Sequence, residues 1–137
     1  MKNLKVRMFE VDRDYKELVN WALAIKQTVP HPICLPGVGS VVEDEDGKRY
    51  GCGFLYLSTD TPVSVLEWIF LNPECTAREK VEALTHILNS LEAVAKAEDH
   101  PVMFAGSASR GITKIFEKLG WTKGISNMDH LIKVIKE

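Results

Sequence analysis

The chain has 137 residues, 45% of them hydrophobic and 26% charged, enough for one domain with its own core and too little for two. Seventeen Lys and Arg stand against nineteen Asp and Glu, a net charge of -2, which argues against a dominant nucleic-acid footprint. No apolar run reaches membrane length, and the charged opening MKNLKVRMFEVDRD does not read as a secretory signal, so a cytoplasmic, soluble protein is expected.

LKVRMFEV, residues 4–11, reads as a first strand. DYKELVNWALAIKQTV, residues 14–29, carries Leu18, Ala22 and Ile25 at helical spacing. Asp14 and Glu17 have capping-box spacing, and Pro30 and Pro32 predict the helix end near Val29. HPICLPG is expected to be irregular and exposed. Residues 38–58 read as a hairpin turning at Asp46-Gly47. VSVLEWIFL, residues 63–71, is almost continuously apolar and predicts a central strand covered on both faces.

Lys80 to Ala97 predicts a long helix with a stripe of Val81, Leu84, Leu88, Leu91 and Ala95. Ahead of it, Thr76-Ala77-Arg78-Glu79 has the spacing of a capping box. PVMFAGS is a further strand, and SRGITKIFEKLG is a short helix closed by Gly120. DHLIKVI, residues 129–135, reads as a last strand. Helices at intervals along one mixed sheet give an α/β (or α+β) class in a single domain, residues 1–137.

Cys34, Cys52 and Cys75 are scattered, odd in number and without a CxxC, which predicts reduced thiols in an intracellular protein. Cys75 lies near a strand-to-helix junction, where a buried or merely exposed thiol is the ordinary reading. The four histidines show no metal-ligand spacing. Trp21, Trp68 and Trp121 are read as core or cleft walls rather than a base-stacking platform.

Glu67 is the most unusual acid, set inside an apolar strand. Strict alternation places it with Val65, Ile69 and Leu71, opposite Leu66, Trp68 and Phe70. A carboxylate there is expected to have a raised pKa, which suits a general base. An acid at a sheet edge, or one paired with a basic side chain, is the structural alternative.

The element order, the long strand running into NPE, and IFEKLGW near the end together resemble the GCN5-related N-acetyltransferases. The resemblance implies a centrally splayed mixed sheet and acetyl-coenzyme A as acyl donor, lying in the splay. It implies transfer by direct attack of an amine, from a small molecule or a protein, and it leaves a homodimer open. No membrane or nucleic-acid partner is implied.

Glu67 then stands where several family members carry a base. Leu71 and Asn72 stand where backbone N–H groups polarise the thioester. The family's pyrophosphate motif, Gln/Arg-x-x-Gly-x-Gly/Ala, falls on Arg78-Glu79-Lys80-Val81-Glu82-Ala83. Arg78 and Ala83 match, and Val81 replaces the central glycine. Its N–H survives, provided its side chain points into the core with Leu84 and Leu88.

The Glu79 carboxylate would compete with phosphate for the same helix end. Phe116 replaces the tyrosine that often serves as general acid, and Ser109 stands near an asparagine position. Ser109 and Arg110 remain candidates to line the cofactor arm. A non-catalytic relative that binds a protein or nucleic acid is the alternative function. The segment QTVPHPICLPGVG, where the family shapes its acceptor pocket, is short and announces no strongly charged acceptor.

Overall fold

A computed structural model describes residues 2–106, 110–125 and 128–135. The elements are β1 (Leu4–Met8), α1 (Val11–Ala24), a 3-10 turn (Pro32–Cys34), β2 (Gly39–Asp44), β3 (Arg49–Leu57), β4 (Val63–Leu71), α2 (Ala77–Ala97), β5 (Val102–Ala105) and α3 (Arg110–Lys118). The five strands form one sheet in sequence order. β1 to β4 pair antiparallel and β5 lies parallel to β4. The parallel step needs a crossover, which α2 supplies.

The sheet separates two apolar clusters. On one face α1 lays Leu18, Trp21 and Ala22 over Val41, Cys52, Phe54 and Phe70. On the other, α2 and α3 pack Ala83, Leu84, Ile87, Leu88, Leu91, Ala95 and Phe116 over Val42, Leu55 and Leu66. Close approach of α2 depends on Gly53, where a Cβ would stand 2.8 Å from Ile87 Cγ2. The hairpin turn forms as expected, with Gly47 at φ +85.

Several expectations change. α1 starts at Val11 and stops at Ala24, well before the prolines, with Lys26 at φ 56 closing it. Asp14 therefore lies inside the first turns and does not form a capping box with Glu17. Its Oδ2 accepts the N–H of Glu10 at 2.9 Å, and its carboxylate takes Arg7 at 2.6 and 2.7 Å and Arg49 Nε at 2.8 Å. Asp14 is buried, so the two guanidinium groups and the backbone N–H replace the water it has lost. Glu43, also buried, adds a charge contact of 3.0 Å to Arg7 Nε without hydrogen-bond alignment.

The predicted last strand does not form. The described residues 128–135 take no strand conformation, and Leu131, Ile132, Val134 and Ile135 are all exposed. Strand propensity needs a paired neighbour to be realised, and the sheet order ends at β5. α2 begins three residues earlier than the stripe suggests, and Val81 is 44% exposed rather than packed with Leu84. α3 ends beside Gly120, at φ +94, as its sequence predicts.

His100 ties two connections together. Its Nδ1 and Nε2 lie 2.7 and 2.8 Å from the carbonyl oxygens of Glu98 and Ser58. A neutral imidazole has one N–H and serves only one of them, whereas the cation serves both. Those carbonyls raise the His100 pKa above its ordinary 6.5. A raised folded value means the stabilisation is complete below about 6.5 and fades as pH rises through the folded pKa. The stability difference between wild type and His100→Gln is expected to be larger at pH 5.5 than at pH 8.5 in urea unfolding. Equal differences at both values would remove the cation from this role.

Candidate active site

The site begins with one extra residue in β4. Across β3 and β4, Cys52 faces Phe70 but Phe54 faces Glu67, so three residues of β4 span what two of β3 span. Trp68 absorbs the surplus at φ 56, a left-handed conformation that is costly for a bulky residue. The bulge resets the alternation. Leu66, Ile69 and Leu71 pack on the α2 cluster, while Trp68 and Phe70 pack on the α1 cluster. Glu67 lies opposite Phe54 and so shares the α1 face with Trp68, not with Ile69 and Leu71 as strict alternation implied. Nothing in the composition of VSVLEWIFL marks the bulge.

The same bulge coincides with a parting of strands. β4 and β5 pair from Val63 with Val102 to Leu66 with Ala105, and β5 ends there. Beyond that point β4 continues to Leu71 with no partner strand on that side among the described residues. Asn72 donates its N–H to the Tyr50 carbonyl at 2.9 Å. Antiparallel pairs alternate, so Leu71, opposite Gly51, turns its own N–H and C=O away from β3 and into the opening beside β5. Ile69, opposite the bulged position, turns the same way. Of the two residues expected to polarise a thioester, Leu71 has its N–H in the gap and Asn72 has its N–H committed to β3.

Glu67 sits at the mouth of this opening and is half-buried. No Lys or Arg among the described residues forms an ion pair with it. Its surroundings on the α1 face are held rigidly. Trp68 Nε1 donates to the Tyr56 hydroxyl at 2.8 Å, and that hydroxyl donates to the Cys34 carbonyl. Tyr15 fixes the same stretch by donating to the Pro30 carbonyl at 2.8 Å. The irregular segment after α1 is thereby pinned over the sheet near Glu67. Burial pushes the Tyr56 phenol above its ordinary 10, so it stays protonated at neutral pH. Sequence reading missed Tyr56 as a neighbour of Glu67. Only the pairing register, Phe54 with Glu67 and Tyr56 with Val65, shows that the two lie on one face of adjacent strands.

At the start of α2 the capping box is complete. Glu79 N–H donates to Thr76 Oγ1 at 3.1 Å and Thr76 N–H donates to Glu79 Oε1 at 2.8 Å. The Thr76 N–H holds the Glu79 carboxyl below its ordinary 4.5, so it is ionised at neutral pH. Of the four N–H groups a helix start leaves open, those of Ala77 and Arg78 remain. Arg78 and Val81 are exposed, Lys80 and Glu82 are half-buried, and Ala83 is fully buried under the helix. The residues expected to hold a pyrophosphate thus divide between surface and core.

Ser109 lies outside the described residues, and Arg110 is exposed at the first turn of α3. Phe116 is 5% exposed and packs edge-on against Trp121, with ring centroids 4.8 Å apart. Cys75 is buried within the α2 cluster, and burial pushes its thiol up, so it is a core residue and not a nucleophile. Two open clefts, about 530 and 450 Å³, are lined by residues other than Glu67. One is at the end of α2 around His100, the other between α1 and the β4–α2 junction.

No protein-family model matches the sequence, and no curated protein matches it. Solved structures do match in shape. An acetyltransferase of Trypanosoma brucei aligns with a TM-score of 0.65 at 14% identity, over 95% of this chain and 100% of that one. Glucosamine-6-phosphate N-acetyltransferase from Arabidopsis thaliana aligns at 0.63 with 12% identity, over 96% and 100%. Rv2747 from Mycobacterium tuberculosis, solved in complex with CoA, aligns at 0.67 with 20% identity, over 88% and 73%. At these identities the likeness is one of fold: a mixed sheet flanked by helices, of the kind these structures share.

Proposed function

We propose that this chain, built on an N-acetyltransferase fold, is a divergent GCN5-related enzyme that moves an acetyl group from acetyl-coenzyme A to an amine. The observation that carries the reading is the bulge at Trp68. At this bulge the pairing with β5 has stopped, the N–H of Leu71 turns into the gap, and Glu67, the last residue in register before the bulge, stands at its mouth. A thioester carbonyl placed in the gap would take a backbone hydrogen bond that strengthens as negative charge develops on its oxygen. An attacking amine must be neutral, and Glu67 is the carboxylate placed to take its proton.

The nitrogen forms a bond to the acyl carbon, the carbon–sulfur bond breaks, and the electron pair leaves on sulfur. Phe116 has no proton to give and faces the core. Tyr56 already donates to Cys34. A thiol of ordinary acidity leaves adequately as a thiolate at neutral pH. The end of α2 fits the cofactor less completely. Ala77 and Arg78 offer N–H groups and Arg78 and Lys80 offer charge, but Glu79 presents a carboxylate at the same place.

The test is amine-dependent release of free coenzyme A, followed by chromatography so that the protein's own thiols do not interfere. Release above the no-amine rate supports transfer, and its absence across varied amines at saturating acetyl-coenzyme A rejects it. Glu79→Ala removes the competing charge and frees the Thr76 N–H. It is expected to tighten coenzyme A binding several-fold, because a carboxylate at a helix start competes with phosphate for the same positive end. Weaker binding in a titration of the variant would show that the capping box builds the phosphate site instead of blocking it.

A further inference from the structure

The acceptor side of the bulge has a definite chemistry. Tyr56, Val65 and Phe104 stand in one row across β3, β4 and β5, because Val65 is in register with both partners. Val63 and Val102 make the next row on the same face. Glu67 is two residues beyond Val65, about 7 Å along the strand, at the level where β5 has ended. α1 does not cover these rows. Its cluster is centred on Val41, Cys52, Phe54 and Phe70. Phe104 is 59% and Val102 44% exposed, unusual for aromatic and branched residues on a sheet face.

The border of this patch is apolar as well. Ile33, on the segment pinned by Tyr56, is exposed. His130 sets its ring at 90° to Trp68, 6.2 Å away. Residues 30–36 carry no charge other than that of His31, and Asp129 and Lys133 beside His130 have opposite signs. Glu67 is thus the carboxylate that the strands themselves carry at one end of an aromatic and aliphatic surface, with Asp129 balanced by Lys133 at its border.

From this arrangement we infer that the acceptor is a primary amine on a short apolar or aromatic body, its ammonium at Glu67 and its body over Val65 and Phe104. Charge complementarity selects the amine end, and the rings of Trp68 and Tyr56 add attraction for a cation. The rows of Tyr56, Val65 and Phe104 and of Val63 and Val102 carry no charged side chain to meet the further charges of a polycation, a phosphorylated sugar or a polyhydroxylated amine, whose polar groups would lose water without replacement. This inference rests on the transfer reading of the same site and names its substrate class.

Binding of 2-phenylethylamine and of spermidine is measured by ligand-observed NMR without cofactor. Release of coenzyme A is then measured with each. Saturable binding of 2-phenylethylamine is expected, with spermidine at least tenfold weaker. Phe104→Ser is expected to weaken the aromatic amine about tenfold, and its exposed position spares the fold. Glu67→Gln is expected to weaken it too. Equal affinity for spermidine, no binding of 2-phenylethylamine, or an unchanged affinity in Phe104→Ser would overturn the inference. If 2-phenylethylamine binds in this way but releases no coenzyme A, the transfer reading fails while the binding surface stands. If spermidine alone drives release, transfer stands and the substrate class falls.

Discussion

Glu67→Gln is expected to lower kcat by about 10²–10⁴-fold, the usual worth of a positioned general base, while leaving the affinity for acetyl-coenzyme A unchanged. The substitution keeps shape and removes proton affinity. Glu67 lies on the α1 face, whereas the cofactor's expected partners are the N–H groups in the β4–β5 gap and the start of α2. The two effects should therefore separate in initial-rate kinetics and direct titration. Unchanged turnover across pH would take Glu67 out of the reaction. A loss of cofactor affinity equal to the loss of rate would mean that the variant had deformed the bulge. The variant should also retain wild-type stability, because among the described residues no Lys or Arg forms an ion pair with Glu67.

Asp14→Ala is the substitution expected to damage the fold most, by about 3–5 kcal/mol. The alanine leaves Arg7 and Arg49, both largely buried, without their shared carboxylate, and the N–H of Glu10 without an acceptor. A domain of this size has only about 5–15 kcal/mol in hand, so the midpoint in urea should fall steeply. Glu10→Ala and Arg13→Ala, exposed pairs of the same network, should each change stability by under about 1 kcal/mol. A shift for Asp14→Ala no larger than theirs would show that the buried network contributes little.

The carboxylate also fixes the direction of a pH effect. Burial pushes Asp14 up, but Arg7, the Glu10 N–H and Arg49 outweigh it and hold the carboxyl below its ordinary 3.8. A depressed folded value means that the stabilisation is present above about pH 4 and is lost as pH falls through the folded pKa. Asp14→Ala should lack that component of acid unfolding.

The sequence showed much of the element order because most elements carry a local signal. The Asp-Gly turn, the capping box at Thr76 and Glu79 and the glycine after α3 each act within a few residues, and each forms where expected. The misread parts depend on partners distant in the chain. Asp14 looks like a helix cap until Arg7 and Arg49 are brought to it across the sheet. Val81 fits a helical stripe, but α2 is rotated so that Ile87 and Leu91 face the glycines of β3 and Val81 faces out.

DHLIKVI has strand composition, yet composition alone does not give it a neighbour. The site shows the same division. Glu67 stood out by its chemistry in an apolar run. It shares a face with Val65 and opposes Leu66 as alternation implies, but Trp68, Ile69, Phe70 and Leu71 take the opposite sides from those expected, because a bulge adds one residue without any change in residue type and every side chain after it switches sides.

The gap between β4 and β5 is expected to accept an acyl-coenzyme A despite the carboxylate at the start of α2. Isothermal titration of the purified protein with acetyl-coenzyme A and with free coenzyme A tests it most directly. Saturable binding of both is expected at submillimolar concentration, weakened by added salt because phosphate contacts are screened. No heat of binding for either ligand at millimolar concentration would contradict it.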